Sequence, residues 1–290
     1  MRHSALVLAF TSTVAMLASC KDKTAAPSSD ASAADAAVTA ASPCGSLPCE
    51  TFDSDDAAFS RVVAGGPIVI GVGETHAQKD HAGPSTTKRF TDEVLPLFKD
   101  KASDLVLELW VANGSCGKRE KDVAAKQKEV TAPQAETNQN EFVALGNAAK
   151  ASGIEPHVLM PSCEEYAKIL DAGAGDVDAM LTMIGDLSAD RIERARKLHP
   201  DKIVVAYGGA MHNDLFPRAG REAWSYGPRI AKATADKYVE VDLIAPEAIG
   251  DTAAWKEQPW YAEYHRDAQK DKAVLMTVKP GSYVLFLKPQ

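Results

Sequence analysis

The chain has 290 residues, with 40 acidic and 32 basic side chains for a formal charge of −8, and 45% of its residues are hydrophobic. That balance excludes an extended nucleic-acid footprint, which needs a strongly basic surface. The length beyond residue 43 suffices for one large domain with a substantial core, and no internal repeat or break in composition divides it.

Taken in chain order, residues 1–19 read as a signal peptide. A short basic start (Arg2, His3) leads into the apolar run Ala5 to Phe10 and on to Leu17-Ala18-Ser19-Cys20. Thr11, Ser12 and Thr13 interrupt the run, leaving it too short and too polar for a spanning helix, which needs about 20 predominantly apolar residues. Leu-Ala-Ser-Cys resembles a lipobox, in which small residues precede the cysteine that receives the lipid, so cleavage before Cys20 and lipidation of Cys20, with palmitate as an acyl group, are expected. Lys21 in the next position resembles an outer-membrane address. The expected location is therefore the cell envelope, lipid-anchored to the outer membrane and facing the periplasm. Residues 20–43 read as a flexible tether, because Lys21 to Pro43 is almost all Ala, Ser, Thr, Asp and Pro and has too little apolar surface to offset the entropy of ordering it.

Residues 44–290 are expected to form a single α/β domain with a largely parallel central sheet flanked by helices. Apolar runs alternate with helix-like stretches. The first run, Pro67 to Val72, is apolar enough to be buried on both faces, as a central parallel strand would be. Asp104 to Val111, Ile154 to Met160, Lys202 to Tyr207 and Tyr238 to Ile244 follow. Ala273 to Val278 and Tyr283 to Leu287, joined by Lys279-Pro280-Gly281-Ser282, predict a C-terminal antiparallel hairpin. Between the strands, Ser85 to Lys99 and Asn140 to Ala151 carry apolar residues at helical spacing. Gly117 to Gln139 reads as a polar, mobile helical insertion, and Cys163 to Leu198 as two or three helices, the last opening at Ser188.

With Cys20 assigned to the lipid, four cysteines remain in an oxidising compartment, where disulfides are the default. Three pairings are possible. Cys44 and Cys49 share one short loop, which leaves Cys116 with Cys163, just past the second and third predicted strands. A four-thiolate zinc site is the rival, but the spacing lacks two close Cys pairs.

In open α/β sheets, ligands bind beyond the carboxyl ends of the strands. The first strand runs into Gly71-Val72-Gly73-Glu74-Thr75-His76, with Asp80 and His81 shortly after; the fourth runs into Gly208-Gly209-Ala210-Met211-His212. Glycines in both turns are expected to bring the chain sharply out of the sheet. A lone loop histidine is ordinarily a surface residue, but two at strand-to-loop junctions, one beside a glutamate, point to Glu74, His76 and His212 acting together. Asp80 and His81 suit a solvated loop better. Glu108 interrupts the apolar run Leu105 to Trp110, where an ionised group needs a partner; it faces water, pairs with a structural base, or is poised to meet a histidine or a metal ion. His157 is expected to be a core histidine bonded to backbone, with a role beside Glu108 as the alternative.

Taken together, Gly73-Glu74-Thr75-His76 after an apolar strand, a second strand ending in Glu108, and a late strand leading to His212 resemble one broad superfamily. It includes the erythromycin esterase-like hydrolases, the ChaN-like haem-binding lipoproteins and the TraB/TIKI proteases, and the resemblance spans Ile68 to Asn213. It implies water activation by the matching Glu and His residues in the esterase-like branch, an associated metal in the TIKI branch, and a haem cleft in the ChaN-like branch, which shares the lipid anchor. The chain departs from the esterase pattern in lacking a glycine right after His76. Three readings follow. The first is a hydrolase using Glu74, His76, Glu108 and His212, directly or through a divalent metal (zinc or manganese by ligand type) held by Glu74, His76 and His212. The second is a haem- or iron-binding protein with His76, Tyr207 and His212 as available ligands. The third is a non-catalytic binding lipoprotein. In each, the partner is a small-molecule substrate or ligand, and the membrane is reached through the lipid anchor.

Overall fold

The computed structural model describes residues 42–79 and 83–290. Cys20 with the signal segment, and the pair Asp80 and His81, lie outside the described residues.

Eight strands are present: β1 (Cys49–Phe52), β2 (Val69–Glu74), β3 (Ala102–Trp110), β4 (Glu155–Leu159), β5 (Ile203–Gly209), β6 (Tyr238–Ile244), β7 (Ala273–Lys279) and β8 (Ser282–Phe286). They form one sheet in the order β1-β7-β8-β6-β2-β5-β3-β4. The pairs from β8 through β4 are all parallel, while β7 runs antiparallel to both β8 and β1. The mixed α/β architecture with its antiparallel C-terminal pair is thus as expected; β1, too short and polar to register as an apolar run, extends that edge.

The helices are α1 (Asp55–Val63), α2 (Thr86–Arg89), α3 (Lys118–Val130), α4 (Asn138–Ala151), α5 (Cys163–Asp171), α6 (Asp176–Leu198), α7 (Ala210–Asn213), α8 (Gly227–Ala233), α9 (Ala253–Lys256) and α10 (Arg266–Gln269). Alternation along the strands sends one set of side chains to each face. Ile70, Val72, Leu105, Leu107, Val205 and Tyr207 pack on one face against Phe59, Phe90, Phe98, Phe142 and Leu145. Val69, Val106, Val204 and Ala206 pack on the other against Ala189, Ile192 and Ile230. Each Val, Leu, Ile or Phe among them contributes about 1.5–3 kcal/mol by leaving water, so these two layers rather than the polar site hold the sheet rigid.

Two helical expectations change. The stretch predicted as one helix over Ser85 to Lys99 is α2, then a π-helical turn (Phe90–Val94), then a 3-10 turn (Leu95–Phe98). Pro96 explains the end of the regular ladder, since it has no N–H to donate. The long helix does not open at Ser188, which is buried within α6; it starts at Asp176, with Asp176 and Asp178 in the first turn where the helix dipole favours acids. By contrast α5 starts where a capping box forms, Ser162 and Glu165 each bonding the other's backbone N–H.

Two disulfides join Cys44 to Cys49 and Cys116 to Cys163, the latter with Cα atoms 5.2 Å apart. This disposes of the four-thiolate zinc alternative. The second bond ties the start of α3 to the start of α5 at the carboxyl ends of β3 and β4, so the polar insertion is fastened beside the site.

Candidate functional site

The site sits at the carboxyl ends of β2, β5 and β3, where β5 inserts between its two neighbours. Register sets Glu74 opposite Gly209 and Gly73 opposite Gly208. Glycines here do more than turn the chain. A side chain on Gly208 would stand 2.6 Å from Glu108 Oε2, and one on Gly73 would meet Asp242 Oδ1 first, then Asn213 Oδ1 at 2.6 Å and the Ala210 backbone at 2.7 Å. Their absence opens a groove on one sheet face in which the α7 turn lies, and α7 delivers His212 and Asn213 into it.

Glu74, at the end of β2, is buried and has three partners. Thr87 Oγ1 and Tyr207 Oη donate to its Oε2 at 2.7 and 2.8 Å, and His76 Nδ1 lies 2.8 Å from its Oε1. A carboxylate at Nδ1 requires the proton on that nitrogen, so His76 keeps Nε2 for other chemistry. Glu108, near the end of β3, is held by the Gly209 N–H and by His212 Nε2 at 3.4 Å from its Oε1. His212 is oriented in turn by its Nδ1, which donates to Trp224 O at 2.8 Å.

The four residues therefore form two supported pairs. Glu74 and His212 are the rear members, with side chains 2% and 4% exposed, whereas His76 and Glu108 are the front members at 25% and 16%. The fronts meet across Gly209: His76 Nε2 and Glu108 Oε2 lie 3.2 and 3.3 Å from the position a Gly209 side chain would occupy. Burial disfavours the charged form of His76, but the bond to Glu74 and the charges of Glu108 and Glu74 outweigh it and push its pKa up to about 9. Burial likewise opposes ionisation of Glu108, yet His212, His76 and the Gly209 N–H hold its pKa down to about 2. His212 is raised as well, burial being outweighed by Glu108.

Several expected residues are placed differently. Among the described residues no three His, Cys, Asp or Glu side chains converge as a metal ion would require. Glu74 is committed to Thr87, Tyr207 and His76, so Glu74, His76 and His212 do not fit a zinc or manganese centre. Tyr207 is buried with its hydroxyl given to Glu74, and both ring nitrogens of His212 have partners, so neither is free to ligate haem iron; only His76 retains an outward nitrogen. His157 bonds Asp104 Oδ1 at 2.6 Å rather than backbone, on the first half of β3, and does not join Glu108. Thr87 escaped the sequence reading because it sits in a helix with no signal linking it to Glu74. Glu240 and Asp242 were legible in principle, since they interrupt the apolar run of β6 as Glu108 interrupts that of β3.

The arrangement defines an α/β protein with a two-pair carboxylate–imidazole site at its strand ends. No family model and no curated protein matches the chain. Among solved structures, the type III effector HopBA1 aligns with a TM-score of 0.42 at 10% identity, over 84% of this chain and 99% of its own. A structure described as cofacial haem binding to ChaN of Campylobacter jejuni aligns with a TM-score of 0.36 at 13% identity, over 81% of this chain and 91% of its own. At these scores neither likeness bears on what the site does.

Proposed function

We propose that the protein is a hydrolase of the cell envelope, lipid-anchored at Cys20, in which His76 activates water. The observation that carries this reading is the position of His76, bonded to Glu74 through Nδ1 with Nε2 turned to the gap over Gly209 beside Glu108. In the neutral ring Nε2 is an acceptor and takes a proton from water as that water attacks an acyl carbon. Glu74 fixes the tautomer and stabilises the imidazolium that forms, as the carboxylate does in other His-based triads. Glu108 adds negative charge on the far side, which makes His76 a stronger base than a free imidazole. The imidazolium then returns its proton to the leaving group. His212 acts at one remove, holding Glu108 ionised and in place.

Initial rates on p-nitrophenyl acetate and butyrate, compared between the wild type and His76→Ala, test the reading. Loss of about 10²–10⁴-fold in kcat/KM is expected for the variant. Absence of His76-dependent hydrolysis, together with a haemin spectrum that shifts in the wild type and not in His76→Ala, would transfer the site to the haem-binding reading.

A further inference from the structure

On the other side of the α7 turn lies a separate cleft of about 260 Å³, lined by Met211, Phe216 and Trp260 on its walls, with Glu240 and Asp242 among its lining side chains. Those two carboxyls stand two residues apart on the same face of β6. Leu215 N–H donates to Glu240 at 2.6 Å and Asn213 Nδ2 to Asp242 at 3.0 Å. Neither forms an ion pair with any Lys, Arg or His among the described residues. The bases at the rim have other occupations: Arg218 pairs with Glu257 at 2.5 Å, Arg221 lies 5.4 Å over the Trp224 ring, and Lys279 lies 4.5 Å over Phe216.

Sequestered carboxylates are ordinarily paired, and here the protein supplies no counter-charge. A metal ion does not answer the demand, since no three acidic, Cys or His side chains converge among the described residues. An ammonium group on an apolar body would, with its charge between the carboxyls and its body against the Met211, Phe216 and Trp260 walls. We propose that this cleft binds an organic amine, with Asp242 and Glu240 as the counter-charges. The assignment stands independently of the hydrolase reading.

Unoccupied, the pair relieves itself by holding protons. Burial outweighs the Asn213 bond and, with the nearby Asp214 charge, lifts Asp242 to about 7, while burial and Asp242 lift Glu240 well above the usual range. The other titratable groups around the cleft are Asp214, Arg218, Arg221 and Glu257 on the loops, Lys279 on β7, and Tyr226 and Tyr238, which pack together on the same face of β6 as the two carboxyls. An amine must displace protons from the pair, so its affinity rises with pH.

Ligand-observed NMR titration of the full chain with benzylamine, benzyl alcohol and phenylacetate provides the test. Benzylamine should bind about tenfold more tightly near pH 8 than near pH 6, following ionisation of Asp242, and the other two should not compete with it. Asp242→Asn should lose about tenfold or more in affinity near pH 8, with thermal unfolding recorded alongside. Should that variant fail to fold, Glu240→Gln and the wild-type pH series decide. Equal binding of benzyl alcohol, preference for phenylacetate, no benzylamine binding, or an affinity that does not rise with pH would each overturn the proposal.

Discussion

His76 Nδ1 lies 2.8 Å from Glu74 Oε1, two residues back along a chain that has just left β2, and the opposite side of the same ring faces Glu108 across Gly209. An imidazolium held between two carboxylates makes stability depend on pH in a definite direction. His76 has its folded pKa raised from 6.5 to about 9, so its contribution is fully present below 6.5 and is lost as pH rises through about 9. Glu108 has its folded pKa lowered from 4.5 to about 2, so its contribution is present above 4.5 and is lost as pH falls toward 2. Urea unfolding should show a loss on the alkaline side of up to about 3 kcal/mol, from the size of the His76 shift. In His76→Ala the alkaline loss should shrink markedly; an alkaline limb identical in both proteins would remove His76 as its source.

Gly208→Ala tests the groove that the glycines clear. The new methyl would stand 2.6 Å from Glu108 Oε2 and 2.7 Å from its Cβ, and neither Glu108, fixed by His212 and the Gly209 N–H, nor the strand can yield freely. Overpacking of this kind costs about 1–3 kcal/mol. The variant should unfold at lower urea and hydrolyse more slowly, whereas Gly175→Ala, whose added methyl meets nothing within 4 Å on a backbone of negative φ, should leave the hydrolysis rate unchanged. Equal rates in wild type and Gly208→Ala would show that Glu108 does not need its present position.

These glycines also mark how far the sequence could be read. Continuous apolar runs announce strands such as β2 and β5, because only buried strands tolerate Val and Ile on both faces. Glu74, Glu108, His76 and His212 stood out as polar residues at the ends of such runs. What the sequence does not disclose is direction. Tyr207 looked available to a ligand, but strand alternation sends it into the core beneath Glu74. Gly73 and Gly208 looked like turn residues, yet each faces a side chain contributed by a distant segment. Such pairings depend on register between strands far apart in sequence, which local periodicity does not carry.

The disulfide between Cys116 and Cys163 closes a separation of 47 residues beside the site. Its loss should cost about 4 kcal/mol by restoring freedom to the unfolded chain. A Cys116→Ser/Cys163→Ser double variant should show a lowered urea midpoint and earlier amide exchange in α3 (Lys118–Val130) than in α4 (Asn138–Ala151). Uniform loss of protection across both helices would mean the bond supports the whole domain and not that insertion.

Lipid anchoring at Cys20 predicts that Cys20→Ser is released from the membrane fraction or accumulates uncleaved, since only the thiol accepts the lipid. Recovery of a mature, membrane-bound form of that variant would contradict the anchor.

The pH dependence of kcat/KM for p-nitrophenyl ester hydrolysis tests the central claim most directly. A base acts only when deprotonated, and His76 titrates at about 9, so the rate should rise about tenfold per pH unit through neutrality and level off above about 9. Glu74→Gln removes the charge that sustains the imidazolium and should move this limb down by about 1–3 units, with a lower plateau. His76→Ala should abolish the limb. A rate that is flat or falls between about pH 7 and 9 in the wild type, or a limb that persists unchanged in His76→Ala, would contradict the assignment of His76 as the base.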